Sequence, residues 1–89
     1  MGAFKSKIQD RFLDALLRGS EMEVIEMLKQ HPPLASEGLY NGTTNPICRA
    51  SYMGYRKLII ILLENGADVN QRSSDGRTPL MWAAFRGDK

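Results

Sequence analysis

The sequence predicts an all-α domain of stacked helical repeats joined by short hairpin loops. The first observation is an internal repeat, since the segment that starts at Asn45 aligns without gaps with the segment that starts at Thr78. The matches, each 33 residues apart, are Pro46 with Pro79, Ala50 with Ala83, and Gly54 with Gly87. The second observation is that proline opens and glycine closes each segment, as at the two ends of a helix. Apolar residues at helical spacing then predict a second helix in each unit.

The first predicted pair of helices spans residues 5–18 and 21–30. It is a fainter copy of the repeat, with Gly19 in the place of the closing glycine and a spacing of 35 residues instead of 33. Ser20 followed by Glu23 is a capping-box pattern, so both side chains are expected to satisfy free amides at the start of the second helix.

The later predicted helices span residues 46–53, 56–65 and 79–86. Proline suits the first position of the helices that begin at 46 and 79, and Asn65-Gly66 ends the helix between them. The apolar run at 58–63 is expected to pack between neighbouring repeats. The side chains expected to pack there are Ile59, Leu62 and Leu63.

The polar stretch between the last two helices, with the turn signal Asp75-Gly76, completes a resemblance to the ankyrin repeat, a 33-residue unit containing Thr-Pro-Leu-His-x-Ala. The residues that carry it are Gly66-Ala67-Asp68-Val69-Asn70, Asp75-Gly76-Arg77-Thr78-Pro79-Leu80, Ala83-Ala84 and Gly87. The match is good over residues 45–89 and degenerate over residues 12–30. The resemblance implies an all-α ankyrin-repeat solenoid of about two and a half helix-turn-helix repeats.

The resemblance implies one domain over residues 1–89. Its units are a degenerate capping repeat at 5–38, a second repeat at 39–72 and a truncated third repeat at 73–89. In the family, the Thr and His of the motif hold the hairpin turn by hydrogen bonds. Asn45 stands in place of that Thr, and Cys48 and Met81 stand in place of the His.

The third copy stops at Lys89, before its second helix, so we expect a fragment or a truncated form of a longer protein. One side of the last helix would then lack its normal cover. The residues expected on that side are Leu80, Trp82, Ala83 and Ala84.

Composition excludes several classes of protein. The formal charge of +2 is too small to favour nucleic acid or an anionic membrane, and no zinc pattern or aromatic–basic stacking motif is present. The longest apolar run, at 58–63, is far short of the roughly 20 residues that span a bilayer. A single cysteine and the lack of a signal peptide favour the cytoplasm, with the nucleus as the alternative.

The sequence also contains no recognisable arrangement of catalytic residues, so the chain is predicted not to be an enzyme. His31 and Cys48 are the only histidine and cysteine, and nothing in the sequence brings them together. Two such ligands are too few for a metal site. No cofactor motif occurs, and we predict no cofactor.

The predicted function is non-catalytic binding of another protein through the concave face and the hairpin tips, as the resemblance implies. Residues 41–89 contain seven Lys and Arg against four Asp and Glu, which suggests a partner with some acidic character, and the aromatic side chains of Tyr52 and Phe85 suggest that its surface is also apolar. The predicted partner-binding residues are Asn41, Thr44, Tyr52, Met53, Ser74, Asp75, Arg77, Phe85 and Arg86. Two alternatives stay open: a recognition domain in a larger enzyme such as a kinase or acyltransferase, and self-association through the truncated repeat.

Overall fold

A computed structural model of the chain describes residues 2–36 and 45–87, with side chains from residue 7 onward. Within these ranges the chain is helical and contains no strand. The α-helices are α1 (Gly2–Leu17), α2 (Glu21–Gln30), α3 (Pro46–Met53), α4 (Arg56–Glu64) and α5 (Pro79–Gly87). They pair in sequence, α1 with α2 and α3 with α4, and α5 packs against α3.

The observed helix ends lie close to the predicted ones because proline and glycine mark them. The clearest differences are that α1 begins at Gly2 and that a short 3-10 helix, Pro32–Ala35, follows α2. The sequence predicts only a loop there. Proline fixes the backbone angle that opens this turn, and the last two residues of the turn, Leu34 and Ala35, are buried in the core.

The first helix of each complete pair, α1 and α3, ends at a glycine with a left-handed backbone conformation. Gly19 has φ +72° and Gly54 has φ +75°. In the second pair the amide of Tyr55 donates to the carbonyl of Ala50 at 3.1 Å, and the amide of Gly54 donates to Ser51 at 3.2 Å. This is the two-bond Schellman closure, and the same bonds occur at Gly19. The faint first copy therefore has the same turn as the clear one.

The predicted capping box at the start of α2 is wrong. Ser20 is the N-cap residue, but its side chain makes no capping hydrogen bond. The Glu23 carboxylate instead lies 2.6 Å from a terminal nitrogen of Arg18, which also pairs with Asp14 at 3.0 Å. The Glu23 carboxylate therefore forms a salt bridge with Arg18 in place of the predicted hydrogen bond with a backbone amide.

The hydrophobic core runs continuously through both helix pairs. Its buried members are Phe12, Ala15, Leu16, Val24, Leu28, Leu34, Ala35, Ile47, Ala50, Leu58 and Leu62. In α4 the buried side chains are Leu58 and Leu62, four residues apart and so on one face. Leu63, predicted to pack, is 36% exposed, and Ile59 is half-buried. Leu62 and Ile59 therefore pack as predicted, Ile59 at the margin of the core, whereas Leu63 lines the open groove between α4 and α5.

One side of α5 is open, as expected for Leu80, Ala83 and Ala84. Leu80 is 78% exposed, and with Ala83 and Leu63 it lines a shallow apolar groove between α4 and α5. Trp82 does not belong to this side. It is half-buried and faces the aromatic side chains described below.

Candidate functional site

The hairpin before α5 is held in place by α3. The buried amide of Asn45 donates to the carbonyl of Arg72 at 3.2 Å, and its side-chain oxygen accepts from the Cys48 amide at 2.9 Å. The Cys48 thiol donates to the carbonyl of Gln71 at 3.3 Å. Asn45 and Cys48 thus hold the turn by hydrogen bonds, as the Thr and His of the family motif are expected to do. Met81 does not, since it is exposed on α5.

A serine at the base of the hairpin joins it to α5. The hydroxyl of Ser73 accepts a hydrogen bond from the indole nitrogen of Trp82 at 2.9 Å and donates to the carboxylate of Asp75. Ser73 is buried, whereas Asp75 and Ser74 are exposed. The hydrogen bond from Ser73, followed by the charge of Arg77, lowers the pKa of Asp75. The Asp75 carboxylate is therefore ionised at neutral pH beside the positive charge of Arg77.

Three aromatic rings meet where α3 packs on α5. The ring of Tyr52 lies edge-on to Trp82 with 5.5 Å between centroids, and stacks near Phe85 at 6.1 Å. Trp82 and Phe85 lie 5.9 Å apart with their planes at 89°. These are the offset and perpendicular arrangements that aromatic pairs favour. Although they pack together, the rings are not sealed in the core, because Phe85 is 62% exposed.

The guanidinium group of Arg77 lies in the corner between two of these rings. Its Cζ is 5.1 Å from the centroid of Trp82 and 5.0 Å from that of Phe85, within the range of a cation–π interaction. Its Nε also lies 3.4 Å from the carboxylate of Asp75. We call Tyr52, Trp82, Phe85 and Arg77 the aromatic–arginine cluster.

The other predicted site residues are spread around this cluster or lie elsewhere. Met53 is half-buried at the end of α3. Arg86 lies across the turn at Gly54, where an added β-carbon would be 3.2 Å from its Cζ. Asn41 and Thr44 lie outside the described residues. The structure therefore brings Tyr52, Phe85 and Arg77 together and places Arg86 at a neighbouring turn.

Trp82 is the residue of this surface that the sequence analysis missed. It lies three residues before Phe85, so the two share one helix face. The repeat alignment also places it opposite Arg49, which precedes Tyr52 by the same three residues. Either relation could have identified Trp82.

The cluster offers binding groups and no reactive ones. Burial raises the pKa of the Cys48 thiol, which keeps it protonated and weakly nucleophilic. Across residues 2–36 and 45–87, no three His, Cys, Asp or Glu side chains are grouped to hold a metal ion. None of the helices in the same ranges has the length and apolar character to cross a bilayer.

Comparison with known proteins identifies relatives of the chain. The chain is 36% identical over 78 residues to the E3 ubiquitin-protein ligase XBAT33 of Arabidopsis thaliana, an alignment that covers 88% of the chain and 15% of that protein. It is 35% identical over 78 residues to the probable E3 ubiquitin-protein ligase XBOS33 of Oryza sativa subsp. japonica, with the same coverage. The inactive serine/threonine-protein kinase TEX14 of Bos taurus is 32% identical over 77 residues, which cover 81% of the chain and 5% of that protein.

The chain thus spans about 15% of the length of the ligases that it matches. The family model for ankyrin repeats, in three copies, matches residues 12–89. Together with the paired helices and the hairpin that Asn45 and Cys48 hold by hydrogen bonds, this match shows that the chain belongs to the ankyrin-repeat family.

Proposed function

We propose that this chain binds a partner protein through the aromatic–arginine cluster and the neighbouring hairpin tip. Ankyrin repeats are protein-interaction modules without catalytic activity of their own. The observation that carries the proposal is a group of Tyr, Trp, Phe and Arg side chains at one junction of two helices, in which Phe85 is exposed and the other three are half-buried. Aromatic residues and Arg are enriched at the centres of protein interfaces, and the aromatic side chains bury much area at a small cost in side-chain entropy.

The partner is proposed to have an acidic and apolar surface. Arg77 contacts Phe85, Arg86 lies at the neighbouring turn of Gly54, and the second half of the chain has a net positive charge. Charges of opposite sign on a partner would speed association and fix its orientation. The buried free thiol of Cys48 supports a reducing compartment, the cytoplasm or the nucleus.

The test is affinity capture with the 89-residue chain, identification of the bound protein, and titration of that protein against variants. Phe85→Ala should weaken binding by about 1–3 kcal/mol, which is typical for an anchor residue. Met22→Ala is the matched control, because Met22 is also an exposed large apolar residue but lies on α2. Equal affinity of both variants would show that the partner binds elsewhere. Light scattering at several concentrations would reveal whether the captured protein is a second copy.

A second candidate function is favoured by the relatives. One is described as an E3 ubiquitin-protein ligase, one as a probable E3 ubiquitin-protein ligase, and one as an inactive serine/threonine-protein kinase. On this reading the chain is the recognition module of a larger ligase and recruits its substrate. A ubiquitin-transfer assay with the full-length protein and the captured partner would test it. Modification of the partner that is lost with Phe85→Ala supports recruitment, whereas capture without modification supports a scaffold.

A further inference from the structure

The guanidinium of Arg77 is held in a fixed orientation before any partner arrives. Two ring faces at 89° to each other contact it, and Asp75 approaches its Nε. The side chain still keeps 42% of its surface exposed. Ordering a long side chain at an interface opposes binding, so a guanidinium already fixed in place binds a ligand at lower entropic cost.

The outer edge of this guanidinium is open to a ligand. Within the described ranges, no acceptor forms a hydrogen bond with its two terminal amino groups. Those two groups and Nε form a planar fork that matches the two oxygens of a carboxylate. The edge is therefore suited to an acidic side chain.

The surroundings favour an anion over a cation. The hairpin segment 71–77 contains Arg72 and Arg77 against a single acidic residue, Asp75. A partner's Lys or Arg would have to approach these rings against the repulsion of the Arg77 charge. The exposed face of Phe85 adds an apolar surface beside the guanidinium.

We propose that Arg77 is the receptor for an Asp or Glu side chain of the partner, and that a large apolar residue next to that acid packs on Phe85 and Tyr52. Asp75 competes with the incoming acid for the same guanidinium, and so weakens binding. This inference rests on the proposed function, because it names the chemistry recognised at that same surface.

The probe is a phage-displayed library of random dodecapeptides, selected on the immobilised 89-residue chain. We expect enriched peptides to pair Asp or Glu with Phe, Leu or Trp. Binding of the synthetic peptides that lack Trp is then measured from the fluorescence of Trp82, the only tryptophan of the chain, whose ring contacts Arg77. A saturable change in this fluorescence would report binding at the cluster itself.

Three variants test whether Arg77 receives the acidic side chain and whether Asp75 competes with it. Arg77→Gln should weaken peptide binding at least about tenfold, the loss of one charge-assisted interaction. Arg72→Gln is the matched control, since it removes the same charge from the same hairpin without touching a ring, and should change affinity much less. Asp75→Asn should tighten binding several-fold at low salt, with the gain shrinking as salt screens the charge. Circular dichroism spectra would establish that each variant is folded.

Peptides that bind Arg77→Gln as tightly as the unchanged chain, or enrichment of Lys and Arg in place of acids, would overturn this inference. A weaker Asp75→Asn variant would also overturn it. In each of these cases a peptide still binds, and the proposed function stands. A chain that captures neither peptide nor protein would instead contradict the proposed function.

Discussion

Replacing Asn45 with alanine should destabilise the domain by more than the loss of a helix cap alone. Asn45 is fully buried, caps α3 through the Cys48 amide and donates to the Arg72 carbonyl. Loss of the cap costs about 0.5–2 kcal/mol. Leaving partly buried polar groups without partners costs about 1–3 kcal/mol more for each unsatisfied group. We expect a total of about 2–4 kcal/mol, a large share of the stability of a domain this size.

Thr78→Ala is the matched control for Asn45→Ala. Thr78 holds the same position before α5, but its hydroxyl accepts one longer, exposed hydrogen bond from Met81 at 3.3 Å. Its loss should cost about 0.5–1 kcal/mol. Urea unfolding gives both values, and in a thermal scan Asn45→Ala should lower the midpoint by about 10–25 °C. Equal losses in the two variants, or a loss below about 1 kcal/mol for Asn45→Ala, would refute the argument from burial.

Three further predictions concern packing, exposure and charge. Leu62→Ala should cost about 2–5 kcal/mol in urea unfolding by leaving a cavity, and Ile60→Ala, on the exposed side of α4, no more than about 0.5 kcal/mol. Amide protons of α5 should exchange faster than those of α4, because the open side of α5 lacks cover; equal protection in a proven monomer would contradict this. The pKa of Asp75 is lowered, so its stabilising effect is present above the pKa of the unfolded chain and is lost as the pH falls through the lower folded value. A carboxyl titration by NMR should show this pKa rising towards its ordinary value in Ser73→Ala, and an unchanged pKa would count against the hydrogen bond.

The helix ends could be predicted from the sequence because their signals are local. Pro46 and Pro79 open helices through their own fixed backbone angle, and Gly19 and Gly54 close them through a conformation that other residues avoid. The 33-residue spacing of the repeated proline and glycine residues also predicts the helical repeats and the ankyrin-repeat family. The 3-10 helix at Pro32–Ala35 was missed, because a Pro-Pro pair excludes an α-helix but does not specify what replaces it.

The failed predictions each depend on a contact between distant or competing groups. Glu23 could satisfy a backbone amide or Arg18, and the geometry of the α1–α2 turn decides in favour of Arg18. Trp82 was assigned to the open side of α5, but its indole nitrogen donates to the hydroxyl of Ser73 in the hairpin. Tyr52, Phe85 and Arg77 could therefore be named as candidate site residues from the sequence, whereas the contacts of Arg77 with Trp82 and Phe85 needed the tertiary structure.

The glycine turns also join one repeat to the next. Tyr55 lies over Gly19, where an added β-carbon would be 3.4 Å from its Cζ, and its hydroxyl donates to the carbonyl of Leu17. Arg86 lies over Gly54 in the same manner. Each glycine thus accommodates a side chain from the following unit as well as its own backbone. A unit exchanged by recombination would bring its glycine but leave the covering side chain behind, so compatibility at these junctions limits which units can be shuffled.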